Sequence, residues 1–161
     1  MYKNYQDNRH SPTSQNGLII GWREIVALPQ LNIDKIKAKI DTGARSSAIH
    51  AFNIKEFFEN GLPMISFQVH PLQRSDRTTL SAKAQLLEYR EVKNSGGTVE
   101  LRPVILTEIT LRGQKWTIDL TLTNRELMGF RMLLGREAVR NKFLVDPGKS
   151  YLQSDRKDNN N

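Results

Sequence analysis

Between Trp116 and Thr123 apolar and polar residues alternate without a break: Trp116, Ile118, Leu120 and Leu122 stand against Thr117, Asp119, Thr121 and Thr123. A period of two puts one set on each face of a β-strand, whereas on a helix the same residues would be spread around the cylinder. The run just before it carries Val104, Ile105, Leu106, Ile109 and Leu111 into Arg112-Gly113-Gln114, so the spacing predicts a hairpin. Further strands are expected over 18–28, 36–40, 47–51, 65–70, 80–92 and 98–101. Helical signals are few. One is expected over 54–60, closed by Gly61, and one over 136–143, after Gly135 and before Val145-Asp146-Pro147-Gly148. The expected class is therefore mostly β with one or two short helices.

A chain of 161 residues with 38% hydrophobic and 25% charged residues has material for a single core. Residues 1–16 and 154–161 are too polar to bury anything and read as tails around one domain at 17–153. There is no internal repeat, so the domain is not duplicated. No cysteine occurs, which excludes disulfides, thiolate zinc sites and cysteine nucleophiles. No stretch approaches the roughly 20 apolar residues of a membrane span, and the N-terminal residues lack a secretory h-region. The expectation is a soluble, cytoplasmic protein without a membrane partner. With 24 Lys plus Arg against 17 Asp plus Glu, the formal charge is +7, which attracts acidic partners. Nucleic acid is disfavoured, because basic and aromatic residues are not interleaved and no recognition helix is recognisable.

Two segments carry candidate chemistry. In Ile36-Lys37-Ala38-Lys39-Ile40-Asp41-Thr42-Gly43-Ala44, a strand with alternating apolar residues runs into an acid, a small hydroxyl residue and a glycine. Such a turn can hold a carboxylate at the end of a buried strand, and it can equally be an ordinary Asx turn. In Met132-Leu133-Leu134-Gly135-Arg136-Glu137-Ala138-Val139, an apolar strand end meets a glycine and then a helix start.

Together the two segments resemble the retropepsin-like aspartic peptidases, in which an Asp-Thr-Gly-Ala loop comes early and an apolar-apolar-Gly-Arg motif enters the last helix. More narrowly, Gly21-Trp22-Arg23-Glu24, the run from Asp41 to Ala51, Arg102-Pro103-Val104, and 132–136 with Val145-Asp146-Pro147 resemble one bacterial and archaeal family. It is usually labelled ATP-dependent zinc protease, and some members are encoded beside glutamate ligases that tail a ribosomal protein. The resemblance implies a retropepsin-like closed β-barrel and aspartic peptidase activity. The family label fits the residues poorly. The histidines are His10, His50 and His70, no His-Glu-x-x-His motif occurs, and no phosphate-binding Gly-x-x-x-x-Gly-Lys loop is present. Neither zinc, ATP nor another cofactor is expected.

Acid protease chemistry needs two carboxylates sharing one proton, as in the aspartic proteases generally. One Asp-Thr-Gly occurs here, so a homodimer contributing one Asp41 from each copy is expected. By resemblance, Thr42 braces the turn and Gly43 lets substrate approach the backbone. Retropepsins also carry a glycine-tipped flap, for which 91–99, with Asn94-Ser95-Gly96-Gly97, is the best match, although an ordinary hairpin fits as well. Where retropepsins commonly pair an acid after the loop with the arginine of the Gly-Arg motif, this chain has Arg45 and Arg136. Glu137, Glu24 or a bound anion would have to compensate. Ala44, Arg45, His50, Arg90, Arg102 and Arg136 are thus expected to bind substrate, an acidic peptide or a glutamate-tailed protein. The competing readings are a non-catalytic acidic-peptide-binding module on this fold and a zinc-dependent peptidase.

Overall fold

The computed structural model describes residues 19–72, 76–94, 96–125, 127 and 129–154. The tail expected at 1–16, with His10, and residues 155–161 lie outside the described residues. Eleven strands are formed: β1 (Ile19–Gly21), β2 (Arg23–Leu28), β3 (Ile33–Asp41), β4 (Ser47–His50), β5 (Phe52–Glu59), β6 (Leu62–Val69), β7 (Leu80–Lys93), β8 (Val99–Leu111), β9 (Gln114–Thr123), β10 (Met132–Gly135) and β11 (Leu144–Asp146). A 3-10 turn at Pro29–Leu31 and one helix, α1 (Arg136–Val139), complete the described elements. No helix among the described residues is long and apolar enough to cross a membrane.

The mostly β architecture matches the alternation in the sequence. β9 turns Trp116, Ile118, Leu120 and Leu122 into the core while Thr117 and Asp119 face out. The outward set does not stay exposed along the whole strand. Thr121 and Thr123 are buried too, and their hydroxyls donate to Ser47 O at 2.9 Å and to Glu100 Oε1 at 3.1 Å. The expected hairpin forms through Arg112-Gly113, with Leu111 opposite Gln114. The runs at 98–101 and 104–111 are one continuous strand, with Pro103 opposite Tyr89.

Nine strands hydrogen-bond in the order β2-β3-β10-β4-β9-β8-β7-β6-β5. One further pair, Ala27 with Thr110, joins β2 to β8 and closes β2, β3, β10, β4, β9 and β8 into a ring. The barrel suggested by resemblance is thus a ring closed at one seam by a single residue pair, not by a full ladder. Strand β7 shifts register between Leu86 and Glu88, and its first half leaves β8 to pair with β6. The β5–β6–β7 extension packs Ile65, Phe67 and Val69 on the same core as Ile36, Ile49, Leu120 and Met132.

Two expected helices are corrected. Of the span 54–60, residues 54–59 are part of β5, where partly buried Phe52, Ile54, Phe57 and Glu59 are separated by exposed residues, as on a sheet with one covered face. Gly61 is not a helix stop. Asn60 and Gly61 have φ of 52° and 76° and form the two-residue turn that right-twisted hairpins prefer. The helix expected over 136–143 is the four-residue α1, because Arg140 adopts ψ 138° and Asn141 φ 65°. The extended residue brings Phe143 back onto the core, 5.4 Å from the Trp116 ring.

A buried carboxylate holds Gln153 and Ser154 in place. Glu24 is fully buried on β2 and accepts Gln153 N at 2.8 Å, Gly21 N at 3.3 Å and the Ser154 hydroxyl at 2.8 Å. Glu24 therefore does not compensate Arg45 or Arg136. Gly21 packs so tightly on the Lys149 carbonyl that a Cβ there would collide with it. Glu24→Ala leaves these buried donors unpaired and should cost about 3 kcal/mol of stability. Urea denaturation of the variant checks it.

Candidate active site

Strand β3 ends at Asp41, and the chain turns through Thr42 and Gly43. Asp41 Oδ1 accepts Gly43 N at 3.0 Å and Ala44 N at 3.2 Å, while Ala44 N also lies 3.2 Å from Asp41 O. Asp41 Oδ2 accepts no hydrogen bond among the described residues. Backbone amides therefore aim the carboxylate, and its second oxygen stays open to reactants. Thr42 and Gly43 are exposed, and Asp41 is half-buried.

The loop is clasped from behind by β10 and the start of α1. Strand β10 runs between β3 and β4, parallel to the first with Gly135 opposite Asp41, and antiparallel to the second. Gly135 N donates to Ser47 Oγ at 3.1 Å, Arg136 N to Ala44 O at 2.7 Å, and Glu137 N to Arg45 O at 3.2 Å. A Cβ on Gly135 would lie 2.6 Å from Ser46 C and Ser46 O, so a side chain there would force the two segments apart. Arg136 Nη1 adds a hydrogen bond to Thr42 O at 3.1 Å.

The structure brings Asp41, Thr42, Gly43, Ala44, Arg45 and Arg136 together. Arg45 and Arg136 do not confront each other uncompensated: Arg136 is spent on the Thr42 carbonyl, and Arg45 lies 3.8 Å from Glu137 across an exposed gap. Glu137 also faces Arg140 at 3.6 Å. Arg90 reaches the back of the loop, donating to Ser46 Oγ at 3.2 Å, Asp119 Oδ2 at 3.0 Å and Glu88 Oε1 at 2.6 Å. Burial works to lower its pKa, but the hydrogen bonds to Asp119 and Glu88 outweigh that and leave it raised. These groups line a cleft of about 520 Å³ behind the loop, in which Arg90 is already neutralised.

Arg102 and His50 sit elsewhere. Arg102 is buried and bound to Glu100 at 3.0 Å. His50, at the far end of β4 from Ser47, is opposite Thr123. The 91–99 segment is the end of the β7–β8 hairpin: Lys93 is opposite Val99, and Arg90 at its base donates to the Ser46 hydroxyl. There Gly97 N donates to Asn94 O at 3.0 Å. The His50, Phe52 and His70 rings form a row, with centroids 6.4 and 4.5 Å apart. Among the described residues no three of His, Asp and Glu converge as a metal site would require. The acids Glu88 and Asp119 and the hydroxyl of Ser47 were not legible as site residues. Only the outward position of Asp119 in the β9 alternation hinted at its accessibility.

An Asp-Thr-Gly loop held by a Gly-Arg helix start on a ring of β-strands defines a retropepsin-like subunit. The chain belongs to the RimB-like family, with residues 19–156 matching the family described as retropepsin-like aspartic endopeptidase RimB. It is similar to a probable alpha-L-glutamate ligase of Shewanella halifaxensis, 49% identical over 138 residues that cover 86% of this chain and 30% of that protein. A probable alpha-L-glutamate ligase of Desulfotalea psychrophila is 46% identical over 129 residues, 80% of this chain and 28% of that protein. The chain thus spans about a third of the length of the curated relatives it matches. A crystal structure of a Legionella pneumophila protein of unknown function (DUF785) is 32% identical with a TM-score of 0.67, over 83% of this chain and 96% of that one.

Gly135→Ala should cost about 3 kcal/mol and loosen the Asp41 loop, since its Cβ meets backbone that cannot rotate away. Thermal denaturation, with hydrogen exchange at the Gly43 and Ala44 amides, checks both effects.

Proposed function

We propose that this chain is a homodimeric aspartic peptidase that hydrolyses peptide or isopeptide bonds in acidic or glutamate-tailed proteins. The observation carrying this reading is the Asp41 carboxylate, oriented by two loop amides with one oxygen left open. The chain supplies one such loop, so a dyad requires a second copy with the two loops facing across a two-fold axis.

In that arrangement one Asp41 is ionised and the other protonated. The ionised carboxylate takes a proton from water as the water oxygen bonds to the scissile carbonyl carbon, while the protonated one donates to the carbonyl oxygen. Collapse of the tetrahedral intermediate breaks the C–N bond. The departing amine leaves with a proton from the dyad, and the other product is a carboxylic acid. Gly43 and the exposed loop backbone hold the extended substrate beside the pair.

The acidic preference draws on the net charge of +7 and on the ligase relatives, in which a region similar to this chain forms part of a protein named for glutamate ligation. Asp41→Asn should reduce cleavage of a glutamate-tailed peptide by at least about a thousandfold while the dimer remains in analytical ultracentrifugation. A chelator should leave wild-type turnover unchanged. Full activity in the variant overturns the aspartic reading, and stoichiometric zinc lost together with activity favours the zinc peptidase. Binding of acidic peptide without cleavage by either protein favours the binding module.

A further inference from the structure

Arg90, Arg102 and Arg131 have close acid partners, in Glu88 with Asp119, in Glu100 and in Asp76, and Arg45 and Arg140 face Glu137. A different set of cations is left without one. Arg23, Lys39 and Arg112 form no ion pair among the described residues. Arg23 is directly opposite Lys39 in the antiparallel β2–β3 ladder, where two like charges repel unless an anion joins them. Arg23 and Arg112 both line a shallow cleft of about 710 Å³, completed by the chain segment from Ser150 to Ser154.

The cleft is built to hold these cations in place. The Arg23 guanidinium lies 4.5 Å from the Trp22 ring centre and 5.1 Å from that of Tyr151, and its Nε donates to Ser150 Oγ at 3.1 Å. That leaves its terminal Nη groups to bind something else. Arg112 Nη1 donates to Gln153 Oε1 at 3.2 Å, which steers the second guanidinium toward the same segment. Gln153 and Ser154 are in turn fixed by the buried Glu24 carboxylate. The cleft is tied to the strand that carries Asp41, because the carbonyl of Trp22, next to Arg23, accepts Ile40 N at 2.8 Å, one residue before Asp41.

We propose that this cleft is a carboxylate-binding exosite, in which Arg23 and Arg112 clasp the acidic side chains of an extended peptide and Lys39 extends the row toward Asp41. The proposal deepens the peptidase reading and rests on it for the identity of the peptide, though not for the binding itself. Planar guanidinium forks match carboxylates in bidentate fashion. Lys39 lies two residues from Asp41 on β3, about 7 Å of extended chain, so a neighbouring stretch of the same peptide could reach the catalytic loop. An acidic peptide is favoured over nucleic acid because the rings here are occupied by Arg23 rather than open to stacking bases.

The test is binding of a hexa-α-glutamate peptide to the Asp41→Asn protein, which separates binding from turnover. It is read by Trp22 fluorescence and calorimetry. Arg112→Gln and Arg23→Gln should each raise Kd about tenfold and flatten its salt dependence. Arg140→Gln, which removes the same charge away from the cleft, should leave Kd unchanged. Equal weakening by all three variants, or by none, overturns the exosite, as does tighter binding of a single-stranded oligonucleotide that Arg140→Gln weakens equally. Circular dichroism and retained two-state unfolding of the variants confirm that the comparison is between folded proteins. If Asp41 proves dispensable for cleavage while the arginine variants still lose the peptide, the exosite stands and the aspartic reading falls.

Discussion

Everything at the candidate site depends on how closely β10 approaches the loop after Asp41. With only hydrogen on Gly135, the β10 backbone comes into contact with the carbonyls of Arg45 and Ser46. The amides of Gly135, Arg136 and Glu137 then reach Ser47 Oγ, Ala44 O and Arg45 O. These amides open a helix and lack intrahelical partners, so the loop carbonyls satisfy them at no cost to the helix. The same contacts remove freedom from the Asp41 turn. A carboxylate at the tip of a free loop would sample many orientations, whereas this one has its inner oxygen fixed by two amides.

The ring of strands serves that clasp. β3 and β4 flank β10 in opposite senses, so the chain leaves Asp41, turns, and returns along the far side of the strand whose end supports it. β9 then lies beside β4 and buries Trp116 under α1, where the indole N–H donates to Ala138 O at 3.1 Å. At the other edge, Glu24 on β2 ties Gln153 to Gly21 of β1. A buried acid with no cation beside it is tolerated there because each oxygen receives hydrogen bonds from fixed donors.

Charge is distributed unevenly by the fold. Two arginines expected to bind substrate are neutralised: Arg90, behind the loop, sits between Glu88 and Asp119, and Arg102, away from it, is bound by Glu100. Counting basic residues along the sequence gives no warning of this, because Asp119 comes from β9 and Glu88 from β7, on strands that meet Arg90 only through the sheet. Arg23, Lys39 and Arg112, which form no ion pair among the described residues, lie instead on β2, β3 and the β8–β9 turn.

The strand ladder through β8 and β9, the Asp41 turn and the Gly-Arg junction were legible in the sequence, because alternation and tight-turn chemistry are local properties. The β5 strand was missed where its alternation is interrupted at Lys55 and Glu56, and the Asn60-Gly61 turn signal outweighs the helical spacing around it. What the sequence by itself determined was the mostly β class, the family and the single Asp-Thr-Gly loop per chain, since each follows from residue types at short spacing. Only the tertiary structure decided that Glu24 anchors Gln153 and Ser154, and that Arg90 and Arg102 are already partnered. Those outcomes depend on strand order and register, which place residues many positions apart side by side and which no local pattern encodes.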